Sequence, residues 1–187
     1  MQWLRYVIGL VVLLAGPALL AQSTRSYVSG SARLARPTGP LADSTGLSAA
    51  AQFDLRYIWS PSRTILLGIG GAWITPSMGS TPRPTVAAGP LSITQITATA
   101  TWRMLKHGWS PYVGVEGGFG FLSPPDSLSS KPVFATTLGA AYGVHLGTFI
   151  PLSERLDLSV SGRWVTLATS TPLNLTLVSV ELVYRIQ

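Results

Sequence analysis

The chain has 187 residues, of which 11% are charged, and it carries a formal net charge of +6 with no cysteine. Its mean hydropathy of +0.37 excludes a disordered chain, because disordered chains combine low hydrophobicity with high net charge. The lack of cysteine excludes disulfides, thiol catalysis and cysteine-ligated metal sites. The arginines are spaced singly along the chain, so they form no basic patch of the kind that binds nucleic acid.

The N-terminus has the pattern of a secretory signal peptide. Arg5 precedes an apolar run from Tyr6 to Ala15, and a Gly-Pro pair and the small residue Ala21 follow. This pattern predicts a signal-peptide helix over residues 1–21, cleaved after Ala21. A retained membrane anchor is the alternative, but the run is shorter than the ~20 residues that a spanning helix needs. Residues 22–187 are therefore expected to form one domain outside the cytoplasm.

From residue 26 onward, apolar and polar residues alternate. In segment 47–59, for example, Phe53, Leu55 and Tyr57 alternate with Asp54 and Arg56. Alternate residues of a strand point to opposite faces, so each such segment predicts a strand with one apolar and one polar face. Each segment is about as long as a tilted membrane strand, which needs ~10 residues. The segments are 26–35, 47–59, 64–75, 93–104, 111–122, 133–149, 155–167 and 174–187.

The connections between these segments alternate between short and long. Proline cannot donate to a strand ladder, and most of the prolines fall in the longer connections, which supports the segmentation. Short turns at one end and long loops at the other are the layout of an outer-membrane barrel, with the short turns periplasmic. The short connections are 60–63, 105–110 and 151–154, and the others are 36–46, 76–90, 123–132 and 168–173.

The placement of charge predicts which face meets lipid. A basic residue on the lipid face at mid-membrane costs roughly 2–4 kcal/mol, so charges are expected on the face that lines the lumen. Small residues on that face, such as Gly68 and Gly70, would leave room for arginine side chains. We therefore predict an all-β, eight-stranded antiparallel up-and-down transmembrane β-barrel plugged by a polar network. The members of this network are Arg33, Asp54, Arg56, Arg103, Glu116, His145, Arg163 and Glu181.

Large aromatic residues fall near the ends of the segments, where outer-membrane barrels carry interfacial girdles. Alternation by itself does not distinguish this arrangement from a soluble barrel with an aromatic core, but the girdle and the signal peptide favour the membrane. The predicted lipid-interface aromatics are Trp59, Trp73, Trp102, Phe121, Phe149, Trp164 and Tyr184.

Three stretches resemble the small outer-membrane barrels of the OmpA/OmpX type: SPYVGVEGGFGF (110–121), RLDLSVSGRW (155–164) and VSVELVYRI (178–186). The resemblance covers about residues 26–187. It implies a location in the bacterial outer membrane, contact with outer-membrane lipids and lipopolysaccharide, and insertion by the barrel assembly machinery. It also implies an ion-paired lumen that is packed and is not a pore. It implies no cofactor and names no partner for the surface loops.

Two other functions stay open. Some eight-stranded barrels hydrolyse or transfer acyl chains of lipid A with a histidine, a serine and an acid. His145 has no such neighbours in its own segment and His107 lies in a turn, but triads are set by geometry and not by sequence order. The other function is that of a secreted, lipocalin-like soluble barrel that binds an apolar ligand. Two histidines without a ligand cluster predict no metal site.

Overall fold

Antiparallel strands close into a barrel in the computed structural model, which describes residues 25–45, 47–78, 92–105, 108–123 and 137–186. The strands are β1 (Arg25–Thr38), β2 (Leu47–Ser60), β3 (Ile65–Met78), β4 (Ser92–Arg103), β5 (Ser110–Ser123), β6 (Thr137–Pro151), β7 (Leu156–Ala168) and β8 (Leu173–Arg185). Each strand pairs with the next along the chain, and β8 pairs back with β1. The prediction of an eight-stranded up-and-down barrel is confirmed. The predicted signal peptide, residues 1–21, lies outside the described residues.

Closure gives every strand two hydrogen-bonded neighbours. A spanning structure in lipid must satisfy its backbone donors and acceptors internally, and a closed barrel does so without leaving an edge strand. The alternation of the sequence follows the pairing closely. In β2, for example, Asp54 and Arg56 are buried inside the barrel, whereas Leu55 is 68% exposed on the outside. The two predicted faces of the strands therefore exist.

The alternation misplaces two details at the end of the barrel that carries the longer connections. Residues 36–38 were predicted to begin a loop, but β1 continues to Thr38 because these residues pair with β8 alone. Leu47 was predicted on the outer face and is instead buried. The reason is a register shift between Leu47 and Ala49, which reverses the direction of the side chains on either side of it.

A short helix that the sequence did not predict lies between β1 and β2. Helix α1 (Pro40–Thr45) follows Gly39, whose φ of 97° is available to glycine at little cost. Leu41 and Ala42 are buried, and the Leu41 N–H donates to the carbonyl of Pro172, 3.4 Å away. The helix thus packs against β1, β2 and β8 at this end of the barrel. Among the described residues, no helix combines the length and the apolarity needed to cross a bilayer.

The interior is arranged in layers. Along β2 the inward residues read Ile58, Arg56, Asp54, Gln52 and Ala50, so charged groups lie between apolar ends. The turn-end layer consists of Tyr27, Ile58, Leu66, Tyr112, Phe149 and Val183. The loop-end layer consists of Ala35, Leu41, Ala42, Leu47, Ala50, Ile74, Ile93, Leu122, Ala141, Val165, Leu167, Leu173, Leu175 and Leu177.

The outside of the barrel is an apolar surface. Leu34 is 75% exposed and Phe53 66%, and exposed large apolar side chains occur on all eight strands. Soluble monomers rarely expose continuous apolar surface of this extent. Among the described strand residues, Arg36 alone carries a charge on this outer face, and it lies near the loop end of β1.

Candidate functional site

A chain of alternating charges crosses the middle of the barrel. Asp54 contacts Arg33 at 3.0 Å and Arg56 at 2.9 Å, and Glu116 contacts Arg56 at 3.4 Å. The chain continues from Glu116 to Arg163 at 3.0 Å and ends on Glu181, which lies 3.6 Å from Arg163. It therefore joins inward residues of β1, β2, β5, β7 and β8 and balances three arginines with three carboxylates.

Every member of this charged chain is buried. Buried charges are costly unless they are paired and hydrogen-bonded, and further contacts supplement the ion pairs. The Ser29 hydroxyl donates to Glu181 at 2.5 Å, and the Ser31 hydroxyl donates to Asp54 at 3.3 Å. Two small inward residues of β1 therefore supply further hydrogen bonds to two carboxylates of the charged chain.

Glycines on the neighbouring strands make room for the large inward groups. A Cβ at Gly70 would collide with Cγ of Arg56, and a Cβ at Gly114 would collide with the imidazole of His145. The inward glycines were predicted to make room for arginines, and Gly70 does so. Gly114 instead accommodates a histidine.

His145 is buried beside the charged chain. Its Nε2 lies 2.9 Å from the Thr101 hydroxyl, and its ring meets the Tyr112 ring edge-on. The imidazole is 2% exposed and faces the interior, away from the lipid. The Tyr112 hydroxyl is itself paired with the Ser159 hydroxyl at 2.8 Å. No group of three His, Asp or Glu side chains is placed to hold a metal in the part of the chain that the structure describes.

Arg103 does not join this network, so its predicted membership was wrong. It is the last residue of β4 and pairs with Tyr112, whereas Glu116 pairs with Thr99. Four residues of strand separate the two rows by about 13 Å. The Arg103 guanidinium instead lies 4.7 Å from the centre of the Phe149 ring, and its Nε donates to the Ser110 hydroxyl at 3.4 Å.

Six of the seven predicted interface aromatics lie on the outer face. Trp59, the least exposed, stacks on Tyr57 with ring centres 6.3 Å apart. The prediction for Phe149 was wrong, because its odd number gives it the same phase as His145 and directs it inward. It is 5% exposed and packs on the Tyr112 ring at 4.5 Å. The outward six are Trp59, Trp73, Trp102, Phe121, Trp164 and Tyr184.

Sequence reasoning missed the two apolar layers. The signal was available, because Ile58, Leu122, Leu177 and Val183 all fall in the polar phase of their segments. They lie near the strand ends, where the inward face changes from charged to apolar.

No protein-family model matches the chain, and no curated protein is significantly similar to it in sequence. Solved structures are similar in fold. Neisserial surface protein A is 12% identical over 88% of this chain and 100% of its own, with a TM-score of 0.68. The outer membrane protein OprG of Pseudomonas aeruginosa is 12% identical over 88% of this chain and 96% of its own, with a TM-score of 0.53. The N-terminal β-barrel domain of OprF from the same organism is 9% identical over 87% of this chain and 100% of its own, with a TM-score of 0.52.

The chain has the fold of a small outer-membrane β-barrel. The resemblance to OmpA/OmpX-type barrels is thus confirmed at the level of the fold. In this barrel the charged chain lies between the turn-end and loop-end layers, and the apolar outer face is the surface that such folds turn to lipid.

Proposed function

We propose that this protein is a non-enzymatic integral barrel of the bacterial outer membrane, with a closed, ion-paired lumen and a structural or surface-interaction role. The observation that carries the proposal is the combination of the two faces. The outer face is apolar and exposed, while the balanced charged chain is buried between two apolar layers. A soluble barrel is not expected to expose an apolar outer face and to bury a charged chain.

At the level of the charged chain, the lumen leaves little space for a solute. The cavity between His145, Tyr112 and Arg56 measures about 20 Å³, which is room for about one water molecule. The turn-end layer lies on one side of the charged chain and the loop-end layer on the other. A packed interior of this kind supports a barrel that does not conduct.

The same packing argues against a lipocalin-like carrier. Ligand sites of that kind are apolar cavities of ~300–1,000 Å³. In this barrel the middle of the lumen is occupied by paired arginines and carboxylates.

A lipid A-modifying enzyme is also less well supported. Its histidine, serine and acid would have to reach an acyl chain in the membrane, whereas His145 is buried inside the barrel and hydrogen-bonded to Thr101. His145 therefore has a structural role in the packed interior.

Delivery and partners follow from the proposed location. We expect residues 1–21 to direct export, the barrel assembly machinery to insert the strands, and outer-membrane lipids with lipopolysaccharide to cover the outer face. Connections 79–91 and 124–136, which are outside the described residues, would contribute to the outer surface.

Electrophoresis of the refolded chain tests the membrane barrel. Unheated and boiled samples should migrate differently in dodecyl sulfate, and the protein should need detergent or lipid to stay in solution. Identical migration together with solubility in plain buffer would contradict the proposal.

A further inference from the structure

A second site lies at the turn end of the barrel. A cavity of about 560 Å³ opens there, beyond the turn-end layer, and Tyr27 contributes to its lining. Its charged lining residues come from the ends of four strands and from two turns. They are Arg25, Arg63, Arg103, Arg185, Glu154 and Asp157. We call this cavity the turn-end vestibule. Four arginines against two carboxylates give it a net positive lining.

The arginines of the turn-end vestibule differ from those of the charged chain in their partners. Among the described residues, the ion pairs join carboxylates to Arg33, Arg56 and Arg163, and none reaches an arginine of the vestibule. The vestibule therefore holds four arginines that form no ion pair with a described carboxylate, and its lining keeps an excess of positive charge.

Two of the vestibule arginines lie against aromatic rings. The Arg185 guanidinium lies 5.8 Å from the centre of the Tyr27 ring, and that of Arg103 lies 4.7 Å from the centre of the Phe149 ring. The Nε of Arg185 is buried and, like the Nε of Arg33, Arg56 and Arg163, has no hydrogen-bond partner among the described residues. Such contacts restrict the guanidinium while leaving most of its N–H groups available.

Solvated arginines around a barrel mouth would be the ordinary explanation of this charge. It accounts for the exposed Arg25 and Arg63 at the rim. It does not account for the ring contacts that place the guanidinium groups of Arg103 and Arg185 against the wall.

We propose that the turn-end vestibule binds a small organic anion with two or more phosphate or carboxylate groups. Guanidinium groups bind both kinds of oxyanion through paired N–H donors, and fixed arginines lose less freedom on binding. The cavity volume falls within the ~300–1,000 Å³ range of small-molecule sites. In an outer-membrane barrel the short turns face the periplasm, so the ligand would reach the site from that side.

Calorimetric titration of the folded full-length barrel in zwitterionic detergent at low ionic strength tests this site. Pyrophosphate and citrate are the probes, and acetate is the monovalent control. We expect saturable binding of at least one of the two polyanions, at least tenfold tighter than acetate and weaker at higher salt. Preference for pyrophosphate would indicate a phosphorylated ligand, and preference for citrate a polycarboxylate.

Arginine variants locate the binding. R103Q and R185Q should each weaken it at least tenfold, whereas R36Q, at the opposite end of the barrel, should leave it unchanged. Migration of unheated samples shows whether each variant is folded. If a wall variant does not fold, R25Q and R63Q at the rim replace it, with a smaller expected loss. Absence of polyanion binding, or equal losses in R36Q and the vestibule variants, would overturn the proposal.

Discussion

Glu116 accepts from Arg163 at 3.0 Å while also contacting Arg56 at 3.4 Å, so one buried carboxylate on β5 joins an arginine of β2 to an arginine of β7. No other carboxylate of the charged chain contacts both Arg56 and Arg163. The integrity of the barrel interior should therefore depend on this residue more than on any surface charge.

Replacing Glu116 by alanine should destabilise the folded barrel by about 3–5 kcal/mol, because it leaves two buried guanidinium groups without one of their partners. Urea unfolding of the barrel in lipid vesicles measures the change. Glu116→Gln keeps the shape and should lie between the alanine variant and the wild type.

The matched control is Glu154→Ala, which removes a carboxylate exposed in a turn and should change the free energy of unfolding by less than about 0.5 kcal/mol. Equal urea midpoints for Glu116→Ala and the wild type would show that the charged chain does not stabilise the interior.

Gly70→Ala should destabilise the barrel by about 1–3 kcal/mol, the usual cost of overpacking. The added Cβ would lie 2.5 Å from the Leu55 carbonyl oxygen and would collide with the Arg56 side chain. Gly117→Ala is the control, because its Cβ points outward and meets nothing within 4 Å. The prediction fails if the two alanine variants unfold at the same urea concentration.

Leu55→Arg should cost roughly 2–4 kcal/mol if the outer face lies in lipid, because Leu55 is in the middle of β2. Thr38→Arg, at the loop end of β1, should cost only about 0–1 kcal/mol. Unfolding from vesicles gives both values. A soluble barrel would instead accept arginine at Leu55 without penalty and stay in solution, which is the contrary result.

Alternation along the sequence was sufficient to place the strands and their faces, since a period of two is a direct consequence of strand geometry. Arg56 and Leu55 were placed correctly for that reason. The alternation also placed Phe149 on the inward face. It was nevertheless assigned to the lipid face, because it is large and lies near a strand end. Counting residues back to His145 would have directed it inward.

Other features depend on contacts that a local pattern does not contain. The register shift at Leu47 exchanges the inward and outward positions of β2, and no residue type in the sequence marks it. Helix α1 is held by a backbone hydrogen bond from Leu41 to Pro172, which lies in the distant β7–β8 connection. The separation of Arg103 from Glu116 follows from the register of β4 on β5, which is fixed by the closed barrel. Partner choice within the charged chain depends on the same registers.

The central claim is that the charged chain and the two apolar layers close the lumen, and current recording across a planar lipid bilayer tests it most directly. With the full-length barrel incorporated, and its folding checked by the migration of unheated samples, we expect the membrane current to stay at the level of the protein-free bilayer. Stable, repeated conductance steps from the wild-type barrel would contradict the account.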